Sequence, residues 1–158
     1  MVGLTSAKTS YLLQKIKSVL SLNSNQSDFK NSNNKSILVV DDEHDIVNLI
    51  KQSLQIKGLK VSPFTDPVMA LEDFKVNYKT CSLILSDIRM PGINGYEFVK
   101  KAKEIHNQVK VVLMSAFEIN DREFHNMLPD IKVDGFLQKP FHIQHLNKVI
   151  EKINIKND

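Results

Sequence analysis

The sequence predicts a doubly wound α/β fold, a parallel five-stranded sheet in the order 2-1-3-4-5, and two observations carry that prediction. From Ile37 onward, short apolar runs alternate with helical patterns five times. Ile37–Val40, Leu83–Leu85 and Val109–Met114 are apolar nearly throughout, as strands covered by helices on both faces must be, whereas Leu59–Ser62 alternates as an edge strand does. A second strand at the edge fits the order 2-1-3-4-5, in which ligands sit beyond the carboxyl ends of strands one and three.

The elements follow in order. After the first strand, Ile46, Val47, Ile50 and Leu54 form an apolar stripe of period near 3.6. After Leu59–Ser62, Thr65-Asp66-Pro67 supplies a capping residue and a proline at the first helical position, which starts the second helix. Cys81 precedes the third strand as a small packing residue, and Asn94-Gly95 turns into a helix striped by Tyr96, Phe98, Val99, Ala102 and Ile105. The fourth helix is the shortest pattern: Phe124, Met127 and Leu128 precede Pro129, which stops it, and an Asp130-Ile131-Lys132 run follows. Gly135–Leu137 is the last strand, and Ile143, Leu146, Val149, Ile150 and Ile153 stripe the last helix.

At 158 residues the chain is one domain with an appendage. Residues 1–22 form one short amphipathic helix, residues 23–35 a flexible Ser/Asn-rich linker, and residues 36–158 the folded domain. The net charge of +3 is uneven: five lysines against Asp28 make residues 1–36 +4, and the remainder −1. A near-neutral body lacks the clustered Lys/Arg face of a nucleic-acid binder, and one short helix cannot form a three-helix DNA reader. The single cysteine allows no internal disulfide, and no Cys/His cluster has zinc spacing, so a cytoplasmic setting is expected. Lys15 and Lys17 interrupt the apolar stretch Tyr11–Leu22, which excludes a signal peptide or membrane span there.

Chemistry concentrates at one sheet edge. Asp41, Asp42 and Glu43 follow the first strand, Asp87 the third, Ser115 the fourth and Lys139-Pro140 the fifth. Taken singly these are bland: a helix cap and first-turn acids, Glu43 among them, a turn at Pro91-Gly92, a loop lysine. Together they bring carboxylates from neighbouring strands close enough to demand a cation, and oxygen-only ligands favour Mg²⁺. A carboxylate beside Mg²⁺, with a lysine and a hydroxyl opposite, suits phosphoryl transfer to Asp87. A flavin phosphate would be repelled by these acids, and a metal-dependent phosphatase would need two acids flanking one residue after a single strand.

The stretches VVDDE (39–43), LSDIRMPGINGYEF (85–98), VVLMSAF (111–117) and DGFLQKPF (134–141) resemble those of response-regulator receiver domains of two-component signalling, over residues 37 to about 154. The resemblance implies a flavodoxin-like sandwich and a role for each matching position. Asp87 accepts the phosphoryl group; Asp41, Asp42, Asp87 and the backbone carbonyl of Arg89 hold Mg²⁺; Ser115 and Lys139 contact the phosphate. Ala116 leaves the site open, Phe136 is the switch aromatic without the hydroxyl of many relatives, and Lys139–Pro140 is cis. It further implies a signalling phosphoacceptor that catalyses only its own phosphorylation and dephosphorylation. The expected partners are a sensor histidine kinase or phosphotransfer protein and a downstream protein meeting helix four, strand five and helix five; a homodimer stays open. No output domain follows before Asp158, so a stand-alone receiver is expected. The alternative is a receiver-fold binding scaffold that is never phosphorylated, against which the complete acidic set, Ser115 and Lys139 speak.

Overall fold

The structure, a computed structural model, describes residues 35–153 apart from 118–120 and 128. The expected N-terminal helix and nearly all of the linker lie outside the described residues. The elements are β1 (Ser36–Val40), α1 (His44–Ile56), β2 (Lys60–Phe64), α2 (Pro67–Asn77), β3 (Cys81–Asp87), α3 (Gly95–Ile105), β4 (Lys110–Ser115), α4 (Asp121–Met127), β5 (Gly135–Gln138) and α5 (Ile143–Ile153). The strands form one parallel sheet in the order β2-β1-β3-β4-β5, as the alternation of β2 implies. No described helix is long and apolar enough to cross a membrane.

Apolar runs become central strands because each side of the sheet carries its own core. On one side Leu38, Val40, Ile84, Val111 and Leu113 meet Ala70, Leu71 and Phe74 of α2 and Phe98, Val99 and Ala102 of α3. On the other, Ile37, Val39, Leu83, Leu85, Val112 and Met114 meet Ile50 and Leu54 of α1 and Leu146 and Ile150 of α5. Successive residues of a strand point to opposite faces, so β1 contributes to both cores. Each fully buried large apolar side chain stabilises by roughly 1.5–3 kcal/mol, which pins the carboxyl ends of β1 and β3 in place.

Strand boundaries shift by one or two residues from expectation, β4 for instance running Lys110–Ser115 rather than Val109–Met114. β2 begins at Lys60 and runs through Pro63 and Phe64. Proline is tolerated there because β2 pairs on one side only, with Pro63 beside Val39. Cys81 is the first residue of β3 rather than its predecessor, and α4 is a seven-residue helix ending at Met127, before Pro129. Beyond α4 the irregular chain is fastened at Asp134, whose N–H donates to the Val111 carbonyl (2.8 Å) and whose Oδ2 accepts from Val111 N–H (2.9 Å). The α2 cap forms as its sequence implies: Asp66 Oδ1 accepts from the N–H groups of Val68 and Met69, with Pro67 at the helix start.

Candidate functional site

The parallel sheet delivers the carboxyl ends of β1, β3, β4 and β5 to one edge. Asp41 follows β1 directly and is completely buried; its Oδ1 accepts from Glu43 N–H at 3.0 Å, turning the chain from strand into α1. Asp87 ends β3 at 5% exposure, and the ladder continues one residue past it, Ile88 N–H donating to the Met114 carbonyl at 3.0 Å. Asp42 is exposed at the rim. Carboxylate oxygens of Asp41, Asp42 and Asp87 lie within 4.8 Å of one another.

Lys139 enters from beyond β5 on a cis Lys139–Pro140 peptide, its N–H donating to the Ser115 carbonyl at 2.6 Å. Its ammonium stands 2.6 Å from Asp41 Oδ2, 3.2 Å from Asp87 Oδ1 and 3.2 Å from Glu43 Oε1. Ser115 ends β4, and its Oγ accepts from Phe117 N–H at 3.0 Å. An open cleft of about 250 Å³ is lined by Asp42, Glu43, Asp87, Arg89, Ser115, Ala116 and Lys139. The edge therefore gathers Asp41, Asp42, Asp87, Ser115, Lys139 and Arg89. It does not gather Phe136, which is half-buried against the α2/α3 core and lines a separate cleft with His125, Pro129, Asp130, Ile131, Lys132 and Val133.

Three features of the edge escaped the sequence reading. Glu43, expected as a first-turn acid of α1, takes the cap position with extended backbone and makes no side-chain cap bond; its carboxylate goes to Lys139 instead. The Arg89 guanidinium lies 4.0 Å above the Phe117 ring. Gly95 packs directly on the backbone of Asp87 and Ile88: its N–H donates to the Ile88 carbonyl at 2.8 Å, and a Cβ there would collide with the Asp87 carbonyl oxygen. The run of three acids hinted at the first; nothing local signals the other two.

Burial is the main influence on the acids, raising Asp41 and Asp87 above the ordinary carboxylate range, with Lys139 opposing it in both. Burial alone would lower Lys139, but Asp41 and Asp87 outweigh it and hold the ammonium well above its ordinary value. The site is thus a protonated lysine among carboxylates that resist ionising together. A divalent cation fits this donor set, which is all oxygen. Asp41 Oδ2 also fits: it is fully buried and faces the Lys139 ammonium at 2.6 Å.

A stability prediction follows from the raised Asp87. A carboxyl raised in the folded state contributes stability that is complete below its unfolded value of 3.8 and is lost as pH climbs through the folded value. At neutral pH and without metal, Asp87→Asn is therefore expected to stabilise the protein, on the order of 1 to 2 kcal/mol, by removing a desolvated charge beside two others. Urea unfolding with EDTA measures it; the gap between the two proteins should close as pH falls towards 3.8.

The chain is similar to known proteins in sequence and in fold. Residues 37–151 match the family described as the response regulator receiver domain. The response regulator receiver protein CpdR of Brucella abortus is 32% identical over 122 residues, covering 77% of this chain and 98% of that protein. Sporulation initiation phosphotransferase F of Bacillus subtilis is 29% identical over 122 residues, 75% of this chain and 93% of that protein. Among solved structures, the response regulator protein TrrA from Thermotoga maritima, in complex with Mg(2+)-BeF, aligns with a TM-score of 0.64 at 28% identity, covering 75% of this chain and 98% of that one. The chain spans only 18% and 48% of the length of two longer curated relatives.

Proposed function

The chain belongs to the response regulator receiver domain family, and on that premise we propose that it is a phosphoacceptor switch in which Asp87 receives a phosphoryl group from a phosphohistidine. The donor is a sensor histidine kinase or a histidine phosphotransfer protein. One observation carries the reading: a buried ammonium stands 2.6 Å from Asp41 and 3.2 Å from Asp87, inside a cluster of three acids spaced to share a cation. The TrrA structure in complex with Mg(2+)-BeF lends support to a divalent cation at this edge.

An Asp87 carboxylate oxygen forms a bond to phosphorus as the donor's P–N bond breaks; the departing imidazole keeps the electron pair and is reprotonated from solvent. Asp41, Asp42, Asp87 and the Arg89 backbone carbonyl would hold Mg²⁺, whose positive charge would admit an anionic group to an acidic cleft. Lys139, already within 3.2 Å of Asp87, neutralises phosphoryl oxygens on the other side. Ser115 Oγ accepts from Phe117 N–H and so keeps its own hydrogen for donation to a phosphoryl oxygen. Asp87 itself is held by its strand and by the close approach of Gly95, so the nucleophile is placed before the donor arrives.

The phosphoryl group takes Lys139 and Ser115 as partners, and their strands β4 and β5 lead to the face of α4, β5 and α5. That face, with Phe136 packing rather than hydrogen-bonding when it moves, is the surface whose two states a downstream protein distinguishes. Incubation with Mg²⁺ and acetyl phosphate is expected to add one phosphoryl group by intact-mass spectrometry, and none to Asp87→Asn or with EDTA present. A wild-type chain left unmodified by several donors would point instead to a binding scaffold.

A further inference from the structure

Glu43 departs from its own helix. It occupies the α1 cap position, yet its side chain caps nothing; its N–H is taken by Asp41 and its carbonyl accepts from Ile46 and Val47. Only the carboxylate is left to choose a partner, and it reaches across 96 positions of sequence to Lys139. The pair is asymmetric: the Glu43 side chain is 64% exposed, that of Lys139 10%. A solvated acid therefore holds an ammonium that two buried acids also hold.

We propose that Glu43 is a positioning residue which competes with an anion arriving at Asp87 for Lys139, and whose charge simultaneously favours the divalent cation; this rests on the phosphoacceptor reading above. Among the described residues, Asp42, Glu43 and Asp87 line the cleft with the cations Lys139 and Arg89, and a fourth carboxylate, Asp41, pairs with Lys139. Glu43 is the one of the four that is both solvated and bound to Lys139, and it stands outside the mutual group of the other three. It is thus the partner Lys139 can release at least cost when an anion docks. Its charge acts oppositely on the two ligands: it attracts the metal and repels the anion.

The test uses Mg²⁺ alone, then beryllofluoride at saturating Mg²⁺, each titrated by calorimetry into the wild type, Glu43→Gln and Glu43→Asp. Glu43→Gln is expected to weaken Mg²⁺ binding and tighten beryllofluoride binding, each on the order of threefold to tenfold, the scale of one charge across a solvated cleft. Glu43→Asp keeps the charge but falls about one methylene short of Lys139. It should leave Mg²⁺ binding near the wild-type value and still tighten beryllofluoride. A residue that merely shapes the loop would weaken both ligands together, and that result, or an unchanged beryllofluoride affinity in Glu43→Gln, overturns the proposal for Glu43 alone. A wild type that binds Mg²⁺ but takes up no beryllofluoride overturns the phosphoacceptor reading and the Glu43 proposal with it.

Discussion

Lys139→Ala is expected to destabilise the metal-free protein by about 3 kcal/mol at neutral pH, because it strands buried acids without their cation. Asp41 is completely buried and Asp87 5% exposed, so solvent cannot replace the ammonium that stands 2.6 and 3.2 Å from them. A surface pair would cost far less when broken. The loss should be partly recovered by millimolar Mg²⁺, which offers the same acids a different cation. Denaturant unfolding with and without Mg²⁺ measures both quantities. Under the proposed function, phosphoryl acceptance should persist in this variant, since Asp41, Asp42 and Asp87 remain, while any response read at the α4–β5–α5 face should fall. A Lys139→Ala protein as stable as the wild type in EDTA would mean that the ammonium does not compensate these acids.

Gly95→Ala sets two effects in opposition. In an ordinary helix the change would stabilise by up to about 1 kcal/mol, through reduced backbone entropy in the unfolded chain. Here the added Cβ would meet the Asp87 carbonyl oxygen and approach Ile88 Cα to 2.8 Å. Both are backbone atoms of a strand end locked in the sheet, so neither can swing aside as a flexible side chain would. The clash should win, with a net loss of about 3 kcal/mol, at the upper end of overpacking costs. Any relief that lets the protein fold must displace Asp87 or α3. Under the proposed function, a displacement of about 1 Å at Asp87 is expected to slow phosphoryl acceptance on the order of a hundredfold. Thermal unfolding and acetyl phosphate kinetics on the same sample check the two effects, and a stabilised, fully active variant would contradict the close approach.

The central strands were legible because β1, β3 and β4 are buried on both faces, and double burial writes itself as unbroken apolar runs such as Ile37–Val40 and Val111–Met114. The alternation of β2 placed it at the edge, but not its full extent, since proline inside a strand reads as a stop until its unpaired side is known. The α2 cap was legible because Asp66 bonds its own neighbours. Long-range contacts leave no such trace. Glu43 looked like any helix-start acid because its partner lies 96 positions away, and Gly95 looked like a turn glycine because what it touches belongs to the preceding strand. The convergence of Asp41, Asp42, Asp87, Ser115 and Lys139 was readable for a topological reason: in a parallel sheet every strand ends at the same edge, so residues after the strands need no contact signal to be placed together. The Arg89–Phe117 stack depends on side-chain direction and had no counterpart in the pattern.

The proposed switch requires that Asp87 carry the phosphoryl group. Borohydride reduction of the chain after exposure to Mg²⁺ and acetyl phosphate converts an acyl phosphate on aspartate to homoserine, and peptide mass spectrometry locates it. The account predicts homoserine at position 87 and nowhere else, dependent on Mg²⁺. Reduction at another acid of the cluster, or a phosphoryl group stable to borohydride on a serine or histidine, would contradict it.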